Sequence, residues 1–410
     1  MKISYWICIL SFWIASTSVC GQNKINWLVK PVLDVEHIWS FDRQTKLAMF
    51  KKGGKLGLIN QKGKVIVPAI YDDYFYFREG ISKVTQNKQK GYINIQGRLI
   101  VPVQYQKASN FSGGVAVVQR NNQWLLINNQ GAIIATLPYD EVATALPSII
   151  KVVKDKKIGF VDSEGKLIIA PKFTYVNYIG TLIYAQWQDT DQGTHHGFFD
   201  KQGKMVLLLD AYQGFLAMRE GKIPVMKNKK YGYVDTNGKV VIPFQYDKVY
   251  PFEQGIAIVT IDGKQVLING AGKEVSQRYD KIKFFKESKA AVSKQNKWGA
   301  IDINGKEIIP VLYEQVTDFQ DGITIAFKQN QGWILDKNGK LQGILNQQYD
   351  PFMKFSNRLL KVYKGSKYGY LNVKGQLVID YQFEAATNFS LDLAPVKLNG
   401  KWGIIKTPLK

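Results

Sequence analysis

The chain has 410 residues, 55 Lys+Arg against 33 Asp+Glu for a formal net charge of +22, and only three His and two Cys. With 45% hydrophobic and 13% aromatic residues it is too apolar to be a disordered polycation. Two Cys exclude a disulfide-stapled scaffold or a Cys-based zinc site, and three His leave little for His-centred catalysis.

Residues 1–21 read as a secretory signal peptide. Met1-Lys2 is a short positive start, Ile3 to Ala15 is apolar, and Ser16-Thr17-Ser18-Val19-Cys20-Gly21 supplies small residues before Gln22. The stretch is too short and wrongly flanked for a spanning helix, and no later stretch approaches the roughly 18 apolar residues that a span needs. Cleavage after Gly21 removes both Cys8 and Cys20. A lipid anchor on Cys20, in the lipobox-like Thr17-Ser18-Val19-Cys20, is the alternative. The expectation is an exported chain in the periplasm, at the cell surface or secreted, without a transmembrane span.

Residues 22–410 read as one array. A slot in Lys55-Leu56-Gly57-Leu58-Ile59-Asn60 recurs at Gly91, Leu125, Gly159, Gly197, Gly232, Val266, Gly299, Trp333, Gly369 and Gly403, at intervals of about 34 residues. Six residues after each of the first ten stands a glycine, from Gly63 and Gly97 through to Gly375. In Lys230-Tyr231-Gly232-Tyr233-Val234-Asp235-Thr236-Asn237-Gly238-Lys239-Val240-Val241-Ile242-Pro243, two β-branched and aromatic runs flank an Asp-x-x-Gly turn. That chemistry suits a type I turn followed by a left-handed glycine in a bulged hairpin. A helical repeat of the same period is excluded, because Gly and Pro in every unit would break its helices. Downstream come an aromatic-acidic pair (Tyr71-Asp72, Tyr246-Asp247, Tyr279-Asp280, Tyr313-Glu314) and a Phe slot (Phe77, Phe111, Phe252, Phe319). A further short strand such as Ile256-Ala257-Ile258-Val259 follows. The unit predicts three or four short antiparallel strands.

These residues resemble the WG-containing repeat family of bacterial proteins, also called KWG repeats. Lys297-Trp298-Gly299 and Lys401-Trp402-Gly403 are the fullest matches, and the resemblance covers roughly residues 27–406. It departs at the Trp slot, which holds Leu56, Lys90, Ile158, His196, Tyr231, Gln265 and Tyr368, and Gly332-Trp333 swaps the pair. The resemblance implies an all-β repeat protein and supplies no catalytic residues.

The expected fold class is therefore all-β, about eleven hairpin or meander units, as a propeller-like ring or a curved β-solenoid. Trp27-Leu28-Val29-Lys30-Pro31-Val32 reads as the strand after a hairpin turn, and Lys401-Trp402-Gly403-Ile404-Ile405 as the strand before one. Pairing the two would complete an eleventh unit and remove both free edges.

Four features could carry chemistry. The Asn/Asp column from Asn60 to Asn372 is accounted for by backbone hydrogen bonding in the turn. The residue after the turn glycine is basic at Lys64, Arg98, Lys166, Lys204, Lys239, Lys273, Lys306 and Lys340. It reads either as a rim that attracts an anionic polymer or as solubilising lysines that discourage edge-to-edge aggregation. Aromatics outside the regular slots, such as Trp39 and Trp187, are candidates for sugar stacking. One longer interval holds Asp189, Asp191, His195 and His196, whose oxygen and imidazole donors are candidates for a divalent ion, against an ordinary exposed loop.

No phosphate loop, Gly-x-Ser-x-Gly elbow or His-Glu-x-x-His motif is present. The expectation is a non-catalytic scaffold, with no cofactor, that binds a protein or an anionic polysaccharide or other envelope polymer. Base-specific nucleic-acid recognition is disfavoured, since few of the basic residues are Arg. A glycan hydrolase with an unrecognised carboxylate pair and a purely structural envelope protein are the alternatives.

Overall fold

The computed structural model describes residues 25–189, 193–329, 331–345 and 354–409. Residues 1–21, expected as a signal peptide and holding Cys8 and Cys20, lie outside these described residues. Within them the chain is all β, in eleven small antiparallel sheets arranged as an eleven-bladed propeller.

A blade is a four-stranded meander. In blade 1 the strands are His37–Ile38, Leu47–Lys52, Lys55–Asn60 and Val65–Tyr71; in blade 2 they are Phe77–Arg78, Ile81–Gln86, Gln89–Asn94 and Leu99–Tyr105. The second and third strands are joined by a two-residue hairpin with both central residues at positive φ, as at Asn87-Lys88, Asn228-Lys229 and Asn399-Gly400. This conformation matches the twist of the flanking strands. The third and fourth strands are joined by the Asn/Asp-x-x-Gly turn. In blade 6, Gly238 N–H donates to the Asp235 carbonyl at 3.1 Å, and Gly238 sits at φ 79°. Blade 7 keeps three strands, and its fourth segment holds only through bridges Gln265↔Tyr279 and Ile268↔Glu274.

The sequence motif Gly…Pro has a geometric cause. In blade 8, Trp298 pairs with Tyr313 and Ala300 with Ile309, so two steps along the third strand face four along the fourth. The surplus residues bulge at Pro310, where no ladder N–H is available to be lost. The bulged backbone then presses on Gly299: a Cβ there would stand 2.4 Å from the Ile309 carbonyl oxygen. Gly57, Gly91, Gly159, Gly232, Gly369 and Gly403 face the same bulge, with carbonyl oxygens of the fourth strand 2.5–2.7 Å from an added Cβ. Where the slot holds Leu125 or Trp333, the bulge is absent and the fourth strand pairs in register across the slot.

One sheet buries nothing by itself, so the core lies between blades. Each of eleven hydrophobic clusters joins one blade to the next. The Phe slot fills these interfaces: Phe41, Phe111, Phe252, Phe319 and Phe389 are buried.

The ring is closed. Trp27–Leu33 forms the fourth strand of the last blade, pairing Trp27 with Ile405 and Leu33 with Trp402. Buried Leu393, Trp402 and Ile404 of that blade pack on Ile38, Phe41, Ala48, Phe50 and Ile59 of blade 1. The curved solenoid with free ends is thereby ruled out. Closure pairs the edge strands that an open array would leave exposed.

Candidate functional site

Because strands alternate in direction, the turns fall on two faces. First–second and third–fourth turns share one face; second–third turns and the connections between blades share the other.

On the first face, the Asn/Asp column does what the turn requires. Each of the ten side chains accepts two backbone N–H groups, as Asp235 Oδ1 does from Asn237 and Lys239 at 2.9 Å each. Asn60 and Asp302 repeat the pattern within 3.0 Å. The second donor is the backbone of the basic residue itself. The turn thus fixes the main chain of Lys64, Arg98, Lys166, Lys204, Lys239, Lys273, Lys306 and Lys340, while all eight side chains are exposed. Only Lys166 among them is in an ion pair, with Glu164 at 2.7 Å. The structure therefore brings these eight residues onto one rim, one per blade, without bringing any two into contact.

The basic residues of the other face are spent differently. The Lys of the Lys-Trp-Gly motif pairs with the acid of the aromatic-acidic pair in Lys55 with Asp72, Lys230 with Asp247 and Lys264 with Asp280, and Lys401 pairs with Asp34, which follows Leu33 in the same place, at 2.8 Å. The same acid accepts a backbone N–H from the second–third turn of its own blade. Asp280 Oδ2 takes Gln295 N–H at 2.6 Å, and Asp140 Oδ2 takes Asp155 N–H at 2.9 Å. Asp280, held by Lys264 on one side and Gln295 N–H on the other, so joins one blade to the next. The Lys hydrogen bond holds the Asp34, Asp247 and Asp280 carboxyls below their usual range.

Other motif residues also reach across blades. Trp402 Nε1–H donates to the Glu36 carbonyl at 3.4 Å and Trp124 Nε1–H to the Asp140 carbonyl at 3.3 Å. Tyr92, Tyr233 and Tyr370, one residue past the slot glycine, donate their hydroxyls to carbonyls of Ser109, Tyr250 and Thr387 at 2.7–2.8 Å. Burial pushes all three phenols well above their usual value. On the first face, neighbouring first–second turns are linked through their acids. Glu79 accepts Gly113 and Gly114 N–H at 2.7 and 2.9 Å, and Glu287 accepts Asp321 and Gly322 N–H at 2.8 Å each. These links were not legible as such, although Glu or Asp beside Gly before each second strand marks several of them.

The longer interval is an extended hairpin, Leu182–Asp189 with Gly193–Phe199, paired through Asp189↔Gly193. His195 Nδ1 lies 2.7 Å from Asp210 Oδ2, and His196 N–H donates to Asp210 Oδ1 at 2.9 Å. Burial raises the Asp210 carboxyl's pKa, but these hydrogen bonds outweigh it and leave the value lowered. The His196 ring stacks parallel to Tyr184, with Nδ1 3.2 Å from its hydroxyl. Asp191 and the side chain of Asp189 lie outside the described residues. Among the described residues no group of three or more His, Cys, Asp or Glu is placed to hold a metal ion. Trp187 packs edge-on against Phe173 and Phe199 and stacks on His195, as an interface residue does. Trp39 packs edge-on against Tyr74 of the next blade.

Three clefts open between blades, of about 190, 240 and 630 Å³. The roomiest of the three lies between blades 1 and 2, lined by Phe41, Asp42, Arg43, Gln44, Phe75 and Tyr76 among others. Among the described residues no helix is long and apolar enough to cross a membrane.

A family model described as "WG containing repeat" matches residues 57–89, 91–124, 158–179, 197–231, 231–264, 267–298, 298–333 and 368–402. No curated protein sequence matches the chain. Among solved structures, a eukaryotic initiation factor is 14% identical, with 82% of this chain and all of that one covered and a TM-score of 0.38. BamB from Moraxella catarrhalis is 12% identical, covering 67% of this chain and 94% of that one at a TM-score of 0.28. The extracellular domain of the putative one-component system BT4673 from B. thetaiotaomicron is 10% identical, covering 92% and 71% at a TM-score of 0.24. The propeller assignment rests on the sheet pairing itself.

Proposed function

We propose a binding function for this chain, which belongs to the WG-containing repeat family. It is an exported, non-catalytic scaffold whose ligand is an anionic envelope polymer, engaged along the rim of third–fourth turns. The observation that carries this reading is the one-per-blade column of eight exposed basic residues on one face, seven of them outside any ion pair. Many motif residues do not compete for the role, because Lys55, Lys230, Lys264 and Lys401 are paired with acids between blades and the Trp, Gly and Tyr residues pack at the interfaces. Export is supported by the leader-like residues 1–21. A ring of lysines at fixed spacing suits a polymer with repeating charge, since several weak contacts add up along one chain.

The test is calorimetric titration with long polygalacturonate, a carboxylated polysaccharide. Binding is expected to weaken steeply between about 50 and 300 mM salt, as screening requires. Replacing Lys64, Lys204, Lys239, Lys273 and Lys340 by Gln is expected to abolish it without shifting the melting temperature. Salt-insensitive binding, or an unaffected variant, would contradict the rim.

A further inference from the structure

We infer that the cleft between blades 1 and 2 is a discrete site for an acidic sugar residue. This deepens the anionic-polymer reading and rests on it: the rim attracts the chain, and this cleft seats one or two of its units.

The cleft arises from two local departures from the repeat. Blade 1 joins its first and second strands by the longer loop Asp42-Arg43-Gln44-Thr45-Lys46, where blade 3 needs only Ser112-Gly113-Gly114. The loop is rigid for its size. Asp42 Oδ1 accepts Gln44 N–H at 3.1 Å, Thr45 N–H at 2.7 Å and the Thr45 hydroxyl at 2.9 Å, and Asp42 N–H donates to the Leu47 carbonyl at 2.9 Å. In blade 2 the first strand is displaced. It pairs only at its far end, Phe77 with Ser82 and Arg78 with Ile81, whereas blade 3 pairs Lys107 with Gln119 and Ala108 with Val118. Tyr76 N–H is held instead by the Ser82 hydroxyl at 2.9 Å. The two departures leave about 630 Å³ open between the blades, within the range of pockets that hold small ligands.

The lining has the chemistry of a sugar site. Tyr76 is 56% exposed, as few tyrosines of a packed repeat are, and Phe75 forms the apolar floor. Such aromatic faces stack on pyranose rings. Arg78 stands over the Tyr76 ring at 5.3 Å and donates to its hydroxyl at 3.2 Å, fixing it. Charge selects the class. Among the residues lining the cleft only Asp42 is acidic, and its Oδ1 is held by the Gln44 and Thr45 donors of its own loop. Arg43 is exposed, lines the cleft, and makes no hydrogen bond or ion pair among the described residues. An unpaired guanidinium beside an exposed aromatic ring complements a carboxylate on a sugar, which Arg binds in a bidentate fork. The cleft also opens on the face that carries the basic rim, because first–second and third–fourth turns share that face.

The experiment uses trigalacturonate, which offers three carboxylates in place of the long run on the polymer, titrated calorimetrically into the full chain. Saturable 1:1 binding is expected, with galactotriose at least tenfold weaker. Arg43→Gln and Tyr76→Ala are each expected to weaken trigalacturonate at least tenfold with unchanged melting temperature and unchanged binding of long polygalacturonate. Absence of trigalacturonate binding, or equal binding by both variants, overturns the cleft while leaving the rim standing on its polymer titration. Equal affinity for galactotriose overturns the acidic class. Loss of long-polymer binding in the wild-type chain overturns the rim reading itself, a result distinguishable from failure of the cleft alone.

Discussion

Blades 8 and 3 are built from the same meander yet solve the outer edge of the sheet differently. Blade 8 carries Trp298-Gly299 and Pro310, and its fourth strand bulges so that the backbone lies against the glycine. Blade 3 carries Trp124-Leu125 and Thr136, and Leu125 pairs directly with Thr136, so the ladder shifts register only nearer the turn, between Leu126 and Ile127. Glycine and bulge are therefore one feature. The glycine makes room for a carbonyl of the bulge; a Pro is tolerated in the interrupted stretch, as in blade 8, but is not required, since blade 10 bulges against Gly369 with Asp380 there. Blade 5 shows the boundary: it has Gly197 but no Pro, its strands pair without a shift across Gly197 and Phe198, and a Cβ at Gly197 would meet the Leu207 carbonyl oxygen at a milder 3.1 Å.

This contrast can be broken at several points. The largest effect is expected at the ring closure, where the bulged blade 11 also buries its Trp. Trp402→Ala removes a side chain only 1% exposed from the interface with blade 1, at a cost of about 3–5 kcal/mol. Trp298→Ala in blade 8, where the ring is only half-buried under the Lys283 ammonium, should cost visibly less by urea denaturation. Next comes Gly299→Ala, which drives a methyl into backbone that cannot swing aside, for about 1–3 kcal/mol. Gly197→Ala should stay within about 1 kcal/mol; equal losses at both sites would end the bulge explanation. Smaller again, Tyr370→Phe strips the hydrogen bond to the Thr387 carbonyl and should cost about 1 kcal/mol. The equivalent Leu126 of blade 3 makes no such bond, and its replacement by Met should be felt only as packing.

The smallest effect is one of pH. His37 lies edge-on to Trp39 and Trp402 at the closure, and burial lowers its pKa from the usual 6.5. A His that is more readily neutral when folded contributes stability that is full above 6.5 and declines as pH falls through the folded value. Urea midpoints should drop between about pH 7.5 and 5.5, and His37→Gln should flatten that slope. The depressed Asp34, Asp247 and Asp280 act in the same direction, but only below the usual carboxylate value of 3.8. Their links between blades therefore persist through this window.

Much of the fold was legible because the repeat is written in turn chemistry. Asn or Asp followed three residues later by Gly can close only a few kinds of hairpin, and Asp235 with Gly238 closes the expected one. The Phe slot was legible as core for a similar reason, although in blade 2 the displaced first strand buries Phe75 and leaves Phe77 only partly covered. The two-residue hairpins at Asn87-Lys88 and Asn228-Lys229 were missed, yet Asn beside a tolerant residue at positive φ was there to be read. The rim lysines were found, since their spacing follows the turn. The blade 1–2 cleft was not, because it depends on where a longer loop and a slipped strand stand relative to each other.

The sequence alone determined the period, the β class, the turn type and the positions that pack, because each follows from local dihedral preference and from the alternation of apolar side chains. It also placed one basic residue per repeat. Tertiary structure alone decided that Trp27–Leu33 pairs with Lys401–Lys406, that the Lys of Lys-Trp-Gly belongs to an acid of the next blade, and that the interface between blades 1 and 2 opens into a cleft of about 630 Å³. Those outcomes depend on the angle accumulated over successive blades. No single repeat encodes that sum, and only the closed ring fixes it.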